Sequence, residues 1–138
     1  MEDKKLSLNP NEMAFRKMYQ ALLEQEKITT VFRPGQRLCG DFRGYCAGQK
    51  IELRVIEKVG ADWAGIAPQF ITGFSKGAII KEIETKTIGE LTEKDFEGSS
   101  PDISNTDSLK HNLGLIYNLS NEELTNDSVI TRIIFEYQ

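Results

Sequence analysis

The chain has 138 residues, 17 Lys+Arg against 21 Asp+Glu, and a net charge of −4; at 39% hydrophobic it is one domain's length and too apolar for general disorder. No uninterrupted apolar run approaches the roughly 18 to 20 residues that cross a bilayer, and 2 cysteines with 1 histidine are too few for a disulfide framework, a structural zinc site or a multi-histidine hydrolase. What remains is catalysis by Lys, Thr and carboxylates, without metal or cofactor, or binding without chemistry.

The start, Met1-Glu2-Asp3-Lys4-Lys5, leads into no apolar signal core, so a cytoplasmic protein is expected. Residues 1–8 read as a flexible segment and 9–138 as a single domain. Asn9-Pro10-Asn11-Glu12 has the form of a helix entry, with Asn9 as cap and proline in the first turn. The spacing of Phe15, Met18, Tyr19, Leu22 and Leu23 then predicts one amphipathic helix to about Glu26. Thr29 to Arg33 reads as a short strand closed by the Pro34-Gly35 turn. Glycines at 40, 44 and 48 punctuate a loop before Lys50 to Glu57, where Ile51, Leu53 and Val55 share one face of a half-buried strand. Residues 60–77, with Trp63, Phe70 and Phe74, keep no period and read as a long loop or a broken hairpin arm.

Ala78 to Glu84 reads as a strand, and Leu91 to Glu97 as a short helix stopped by Gly98. Asn105 or Thr106 caps a second long helix with Leu109, Leu113, Ile116 and Tyr117 on its buried stripe. Val129, Thr131, Ile133, Phe135 and Tyr137 alternate in a last strand, and Ile134 between them marks both faces as partly covered. The order of elements suits an α+β fold, a small mixed barrel flanked by helices.

Charge is unevenly spread. From Lys27 to Lys58 stand Lys27, Arg33, Arg37, Arg43, Lys50, Arg54 and Lys58 against Asp41, Glu52 and Glu57, a local +4 that leaves −8 elsewhere. Beside Phe32, Phe42 and Tyr45 such a segment holds phosphates and stacks a base, or else forms the solvated faces of strands. Lys27, Thr30 and Arg33 sit where the first helix hands over to a strand, placed to bind an anion or polarise a carbonyl; the plainer account makes Lys27 a helix C-terminal cation and Thr30 a strand former. Glu93, Asp95 and Glu97 supply carboxylates for a general base or for a solvated face. Cys39, Cys46 and His111 fall on different elements and read as spectators rather than a Cys/His pair.

The order of these motifs resembles the ASCH domain family: Lys27, Thr30 and Arg33, then Gly48-Gln49-Lys50-Ile51-Glu52-Leu53-Arg54-Val55, then Ile88 to Phe96 with its leucine-threonine-x-x-aspartate, then Asp107 to Tyr117 and Val129 to Tyr137. The resemblance implies a PUA-like β-barrel and a cleft between the first helix and the barrel that binds RNA or a modified nucleoside, with Lys27, Thr30, Arg33 and Arg54 as contacts. Some small members are acetylcytidine amidohydrolases with a catalytic lysine, threonine and glutamate. That likeness implies Lys27, Thr30 and Glu97 here. The chain departs from it at Gln25, where glycine is usual; Arg33 lies one residue further from Lys27, and Ser99 stands at the glutamate position, so Glu97 takes the role only with a local shift. From another class, an interaction module would use the acidic late half on a basic partner.

Overall fold

The computed structural model describes residues 11–41, 43–58, 69–117, 119–120 and 122–138. The 1–8 segment, the Asn9-Pro10 helix entry, Phe42, and residues 60–68 of the 60–77 region, Trp63 among them, lie outside them. Expectation and structure part in the first element. Instead of one helix to Glu26, Glu12–Arg16 is a strand, β1, followed by a 3-10 turn at Lys17–Tyr19 and a short helix, α1, at Gln20–Glu24. Met13 and Phe15, 0% and 5% exposed, alternate in β1 beside Leu53 and Val55, whereas Met18 is 59% exposed, so the supposed helical stripe is split between two periods. Helix α1 ends in a Schellman closure. Glu26 adopts φ +56 where glycine is usual, its N–H donates to the Leu23 carbonyl at 3.0 Å, and the Lys27 N–H donates to Leu22 at 2.9 Å.

The remaining elements are β2 (Thr30–Pro34), β3 (Lys50–Lys58), β4 (Gln69–Phe70), β5 (Lys76–Thr87), α2 (Thr106–Tyr117) and β6 (Val129–Tyr137). The short helix expected at Leu91 to Glu97 is a 3-10 turn at Glu93–Phe96, and Gly98 stops it at φ +82. Asn105 caps α2, its Oδ1 accepting the Ser108 N–H at 2.8 Å. Strands run in the order β1-β3-β5-β6-β2, with β4 on β3; β1 and β3 are parallel and the other pairs antiparallel.

This six-stranded mixed sheet is not closed by main-chain bonds between its edges, β1 and β2. Side chains span the gap instead. The Tyr45 hydroxyl donates to the Glu12 carbonyl at 2.7 Å and Arg33 Nη2 to the Ala14 carbonyl at 3.0 Å, which occupies acceptors that an edge strand would otherwise expose. The barrel expected from the sequence is thus an open ladder whose edges stand within reach of one side chain.

Two cores lie on the two faces of β2 and β6. The inner one gathers Met13, Phe15, Val31, Leu53, Val55, Ile133 and Phe135; the outer one packs Phe32 and Ile130 against Ile88, Phe96, Leu109 and Leu113. Alternation along β2 therefore sends Val31 and Arg33 inward and Thr30 and Phe32 outward. Among the described residues no helix is long and apolar enough to cross a membrane.

Candidate functional site

Arg33 projects from the inner face of β2 at the end of the sheet where Thr131 is its register partner. Its guanidinium donates to the carbonyls of Phe32, at 3.2 Å, and Ala14, and lies 5.2 Å from the centre of the Phe15 ring. Arg37 joins it from the loop after β2. The Arg37 N–H donates to Thr131 Oγ1 at 2.8 Å, its Nε to the Pro34 carbonyl at 3.2 Å, and its guanidinium stands 5.6 Å from the Tyr117 ring at the end of α2. The same loop returns through Tyr45, whose N–H donates to the Arg37 carbonyl at 3.1 Å. From β1, Arg16 donates to the Ile116 carbonyl at 2.6 Å and so ties the C-terminal end of α2 to this corner. Tyr19, after β1, donates its hydroxyl to Asp102 at 3.0 Å, and Asp102 accepts the Ser100 hydroxyl at 2.5 Å.

Positive charge dominates the corner. Burial lowers the Arg37 guanidinium from its ordinary value, and the charges of Arg33 and Arg43 lower it further against the opposing influence of Tyr117 and Tyr45; it stays protonated at neutral pH. Burial pushes the Tyr45 phenol up, opposed by Arg33, Arg37 and Arg43. Burial and the Asp102 carboxylate do the same to Tyr19, opposed by Ser100 and Arg33. Among the described residues no carboxylate lies within ion-pair distance of Arg33 or Arg37. Both guanidiniums are held by carbonyls and rings, which fix their position without cancelling their charge.

The other residues singled out from the sequence sit elsewhere. Arg54 is on the outer face of β3, ion-paired to Glu12 at 2.5 Å and 4.7 Å from the Phe70 ring. Thr30 is 2% exposed on the outer face of β2, and its hydroxyl donates to the main-chain carbonyl of Glu97 at 2.7 Å. The Thr29 and Thr30 N–H groups both donate to the Gly98 carbonyl, at 2.8 and 3.1 Å. A side chain at Gly98 would strike the Thr29 hydroxyl, so this seam needs glycine for closeness as well as for its positive φ. The side chains of Lys27 and Glu97 are exposed. Thr30 and residue 97 thus meet through main chain, on the face of β2 opposite Arg33.

Asp95 is the carboxylate of the leucine-threonine-x-x-aspartate segment. It accepts the Thr92 N–H at 2.9 Å, which makes the motif a capping box, and it pairs with Lys86 at 3.2 Å. Burial alone would raise its carboxyl, yet the Thr92 amide, Lys86 and Arg132 hold it below the ordinary value. Among the described residues no three metal-ligating side chains gather.

Sequence reasoning found Arg33 and counted Arg37 and Arg43 only as charge. Tyr19 and Tyr117 were absorbed into helical stripes. The signal that was present is arginine at 33, 37 and 43 across a glycine-punctuated loop, with tyrosine at 45.

The whole arrangement matches solved structures. Protein EF3133 from Enterococcus faecalis, assigned to the family DUF984, superposes with a TM-score of 0.58 at 12% identity over 95% of this chain and 81% of that one. An ASCH domain from Lactobacillus crispatus superposes with a TM-score of 0.53 at 10% identity, over 87% and 70% respectively. The fold is that of an ASCH domain. No family model and no curated protein matches the chain by sequence. In this ASCH fold the arginine corner lies where β1, the turn before α1, β2 and the end of α2 converge.

Proposed function

We propose that the protein binds RNA, or a modified nucleoside carried in RNA, at the arginine corner between the first helical segment and the sheet. The observation that supports this is the pair Arg33 and Arg37, each anchored to main-chain carbonyls and a ring and neither ion-paired among the described residues. Guanidiniums so fixed are ready for a phosphate or for base acceptors, and Tyr117 offers a half-buried ring for stacking. The cytoplasm is the compartment in which we expect this ligand to be met.

Anisotropy titration of a fluorescein-labelled oligouridylate across a salt series tests the reading. Binding should be salt-sensitive, and Arg33→Ala or Arg37→Ala should each lower affinity and reduce the salt slope by about 0.7, the value for one lost single-strand phosphate contact. Absence of binding at low salt to oligouridylate, mixed RNA or a nucleoside set would overturn it, and so would binding that neither substitution changes. An interaction module would then be sought by pull-down with basic partners.

A further inference from the structure

Asp102 is a carboxylate beside the arginine corner that pairs with neither Arg33 nor Arg37. Its main chain is fixed. It lies in the turn after Gly98, where the Ile103 N–H donates to the Ser100 carbonyl at 2.9 Å, and its own carbonyl accepts Nδ2 of the buried Asn112 from α2, also at 2.9 Å. Its side chain is fixed as well, by one hydroxyl on each oxygen: Tyr19 donates to Oδ2 at 3.0 Å and Ser100 to Oδ1 at 2.5 Å. Both donors are buried, whereas Asp102 is exposed. Burial and the Asp102 charge push the Tyr19 phenol up, so it remains a donor at neutral pH, and the charge of Arg33 acts on the same phenol. Arg33 and Asp102 therefore share a neighbour without forming an ion pair.

The arginine side of the corner is fixed too. Cys39 and Cys46, read from the sequence as spectators, form a disulfide with their Cα atoms 4.5 Å apart, in the loop between Arg37 and Tyr45. Acceptor and cations are thus both in place before a ligand arrives, which lowers the cost of ordering them on binding.

A carboxylate has about four acceptor positions. Tyr19 and Ser100 fill one on each oxygen, so among the described residues each oxygen keeps capacity for a further donor. A ligand that matches carries two donors side by side. Among the common RNA bases guanine alone does so on its pairing edge, with N1–H beside the N2 amine and the O6 acceptor next in line, a group that a positive corner favours. Uracil has a lone N3–H between carbonyls, and the amines of adenine and cytosine adjoin a ring nitrogen whose lone pair a carboxylate repels. The arginine of a protein partner also offers paired donors, but Arg33 and Arg37 would repel its charge.

We infer that Asp102 reads a guanine base of the bound RNA, accepting N1–H and the N2 amine, and that Tyr19 and Ser100 are positioning residues that hold its carboxylate for this task. The inference rests on the RNA-binding reading given above.

The test titrates fluorescein-labelled oligouridylates that differ at one central nucleotide, which is uridine, guanosine, adenosine, cytidine, inosine or N1-methylguanosine. Guanosine should bind roughly tenfold more tightly than the other common bases, within the range that a bidentate contact to a base edge supports. Inosine, which lacks the amine, and N1-methylguanosine, which lacks N1–H, should both fall back toward uridine. Asp102→Asn puts an amide donor where an acceptor is needed, and this variant should bind the guanosine oligomer no more tightly than the uridine one. Tyr19→Phe should shrink the guanosine-to-uridine ratio, whereas a merely structural role would lower affinity for both oligomers alike. Inosine that binds as tightly as guanosine overturns the paired-donor contact, and this comparison needs only the wild-type protein. A preference that survives in Asp102→Asn overturns the assignment to Asp102. Equal, salt-sensitive affinity for every oligomer overturns the guanine inference and leaves the RNA-binding reading supported; failure of every oligomer to bind at low salt overturns both.

Discussion

Arg33 and Arg132 are one register step apart across the β2–β6 pairing, where Phe32 faces Arg132 and Arg33 faces Thr131, yet they live in opposite electrostatic worlds. Arg132 points to the outer face and is surrounded by acceptors: the Asp95 carbonyl at 2.9 Å, Glu84 at 3.0 Å and the Asp95 carboxylate at 3.7 Å, with Lys86 completing the network. Arg33 points inward, where among the described residues it is held by carbonyls and a phenyl ring and faces the positive charge of Arg37, with the Tyr19 and Tyr45 phenols near it and no paired carboxylate. A guanidinium neutralised by the fold's own carboxylates holds the fold together. One left with its charge intact repels its neighbours and costs stability, which is a disposition that a bound anion relieves. The contrast therefore separates residues that maintain the structure from those we propose to serve a ligand.

Removing the centre of the neutralised set should have the largest effect. Asp95→Ala leaves Arg132 and Lys86 without their shared carboxylate in a site where Asp95 is 7% exposed, and it also uncaps the Thr92 turn. A loss of about 3 kcal/mol in urea unfolding is expected. RNA salt slopes should stay at the wild-type value. Arg33→Ala should show the reverse: stability within about 1 kcal/mol of wild type and a reduced slope. If Arg33→Ala unfolds the protein as Asp95→Ala does, the two regions are not different in kind.

Acid should act on the same contrast through one side only. The folded-state pKa of Asp95 is depressed, so its contribution is fully present above the unfolded carboxyl value, about 4, and is lost as pH falls through the lower folded value. Wild-type stability should fall steeply below about pH 4, and Asp95→Asn should flatten that fall. Glu90, depressed by the Thr87 amide, contributes with the same sign and remains in the variant. The arginine corner has no carboxylate on Arg33 or Arg37 among the described residues, so Arg33→Ala should leave the acid limb unaltered. An acid limb unaffected by Asp95→Asn would remove Asp95 from the network's centre.

A substitution at a third site places a basic residue of the expected binding set on one side of the divide. Arg54, paired with Glu12 on the outer face, resembles Arg132 more than Arg33. Arg54→Ala should cost about 1 kcal/mol in unfolding and leave RNA affinity alone. A loss of affinity comparable to that of Arg33→Ala would instead extend the ligand surface over the β1–β3 face.

Much of the fold was legible because single-strand periodicity is local. Lys50 to Glu57 and Val129 to Tyr137 alternate cleanly, Gly98 marks a stop, and Asn105 caps α2. Glu12–Arg16 escaped because a five-residue strand of period two, with Met13 and Phe15 on its buried face, runs into Tyr19 of the 3-10 turn and Leu22 and Leu23 of α1, and the spacing from Phe15 onward imitates a longer helix. Only the parallel pairing with β3, some 40 positions away in the chain, decides it. The site divides in the same way. Arg33 was visible as a cation at a helix–strand junction, but its company of Arg37, Tyr45 and Tyr117 depends on a loop return and on the far end of α2. Pairing of Cys39 with Cys46 depends on that same loop.

The smallest effect is expected at the seam between Thr30 and residue 97, which the likeness to acetylcytidine amidohydrolases marks as catalytic through Lys27, Thr30 and Glu97. Nucleophilic use of Thr30 requires its proton to go to a base, and here that proton is donated to the Glu97 main-chain carbonyl at 2.7 Å, an acceptor too weakly basic to take it. Thr30 is also buried, whereas the Lys27 and Glu97 side chains are exposed. Incubation with acetylcytidine at high protein concentration should therefore release cytidine no faster than buffer, and Lys27→Ala should change neither that rate nor RNA binding by more than about twofold, the worth of one surface charge. Turnover above buffer that disappears in both Lys27→Ala and Thr30→Ala would establish the enzyme and move the reacting centre to the outer face of β2. Survival of that turnover in Glu97→Ala would pass proton transfer to another carboxylate, with exposed Glu93 better placed for it than Asp95, whose charge Lys86 and Arg132 already use.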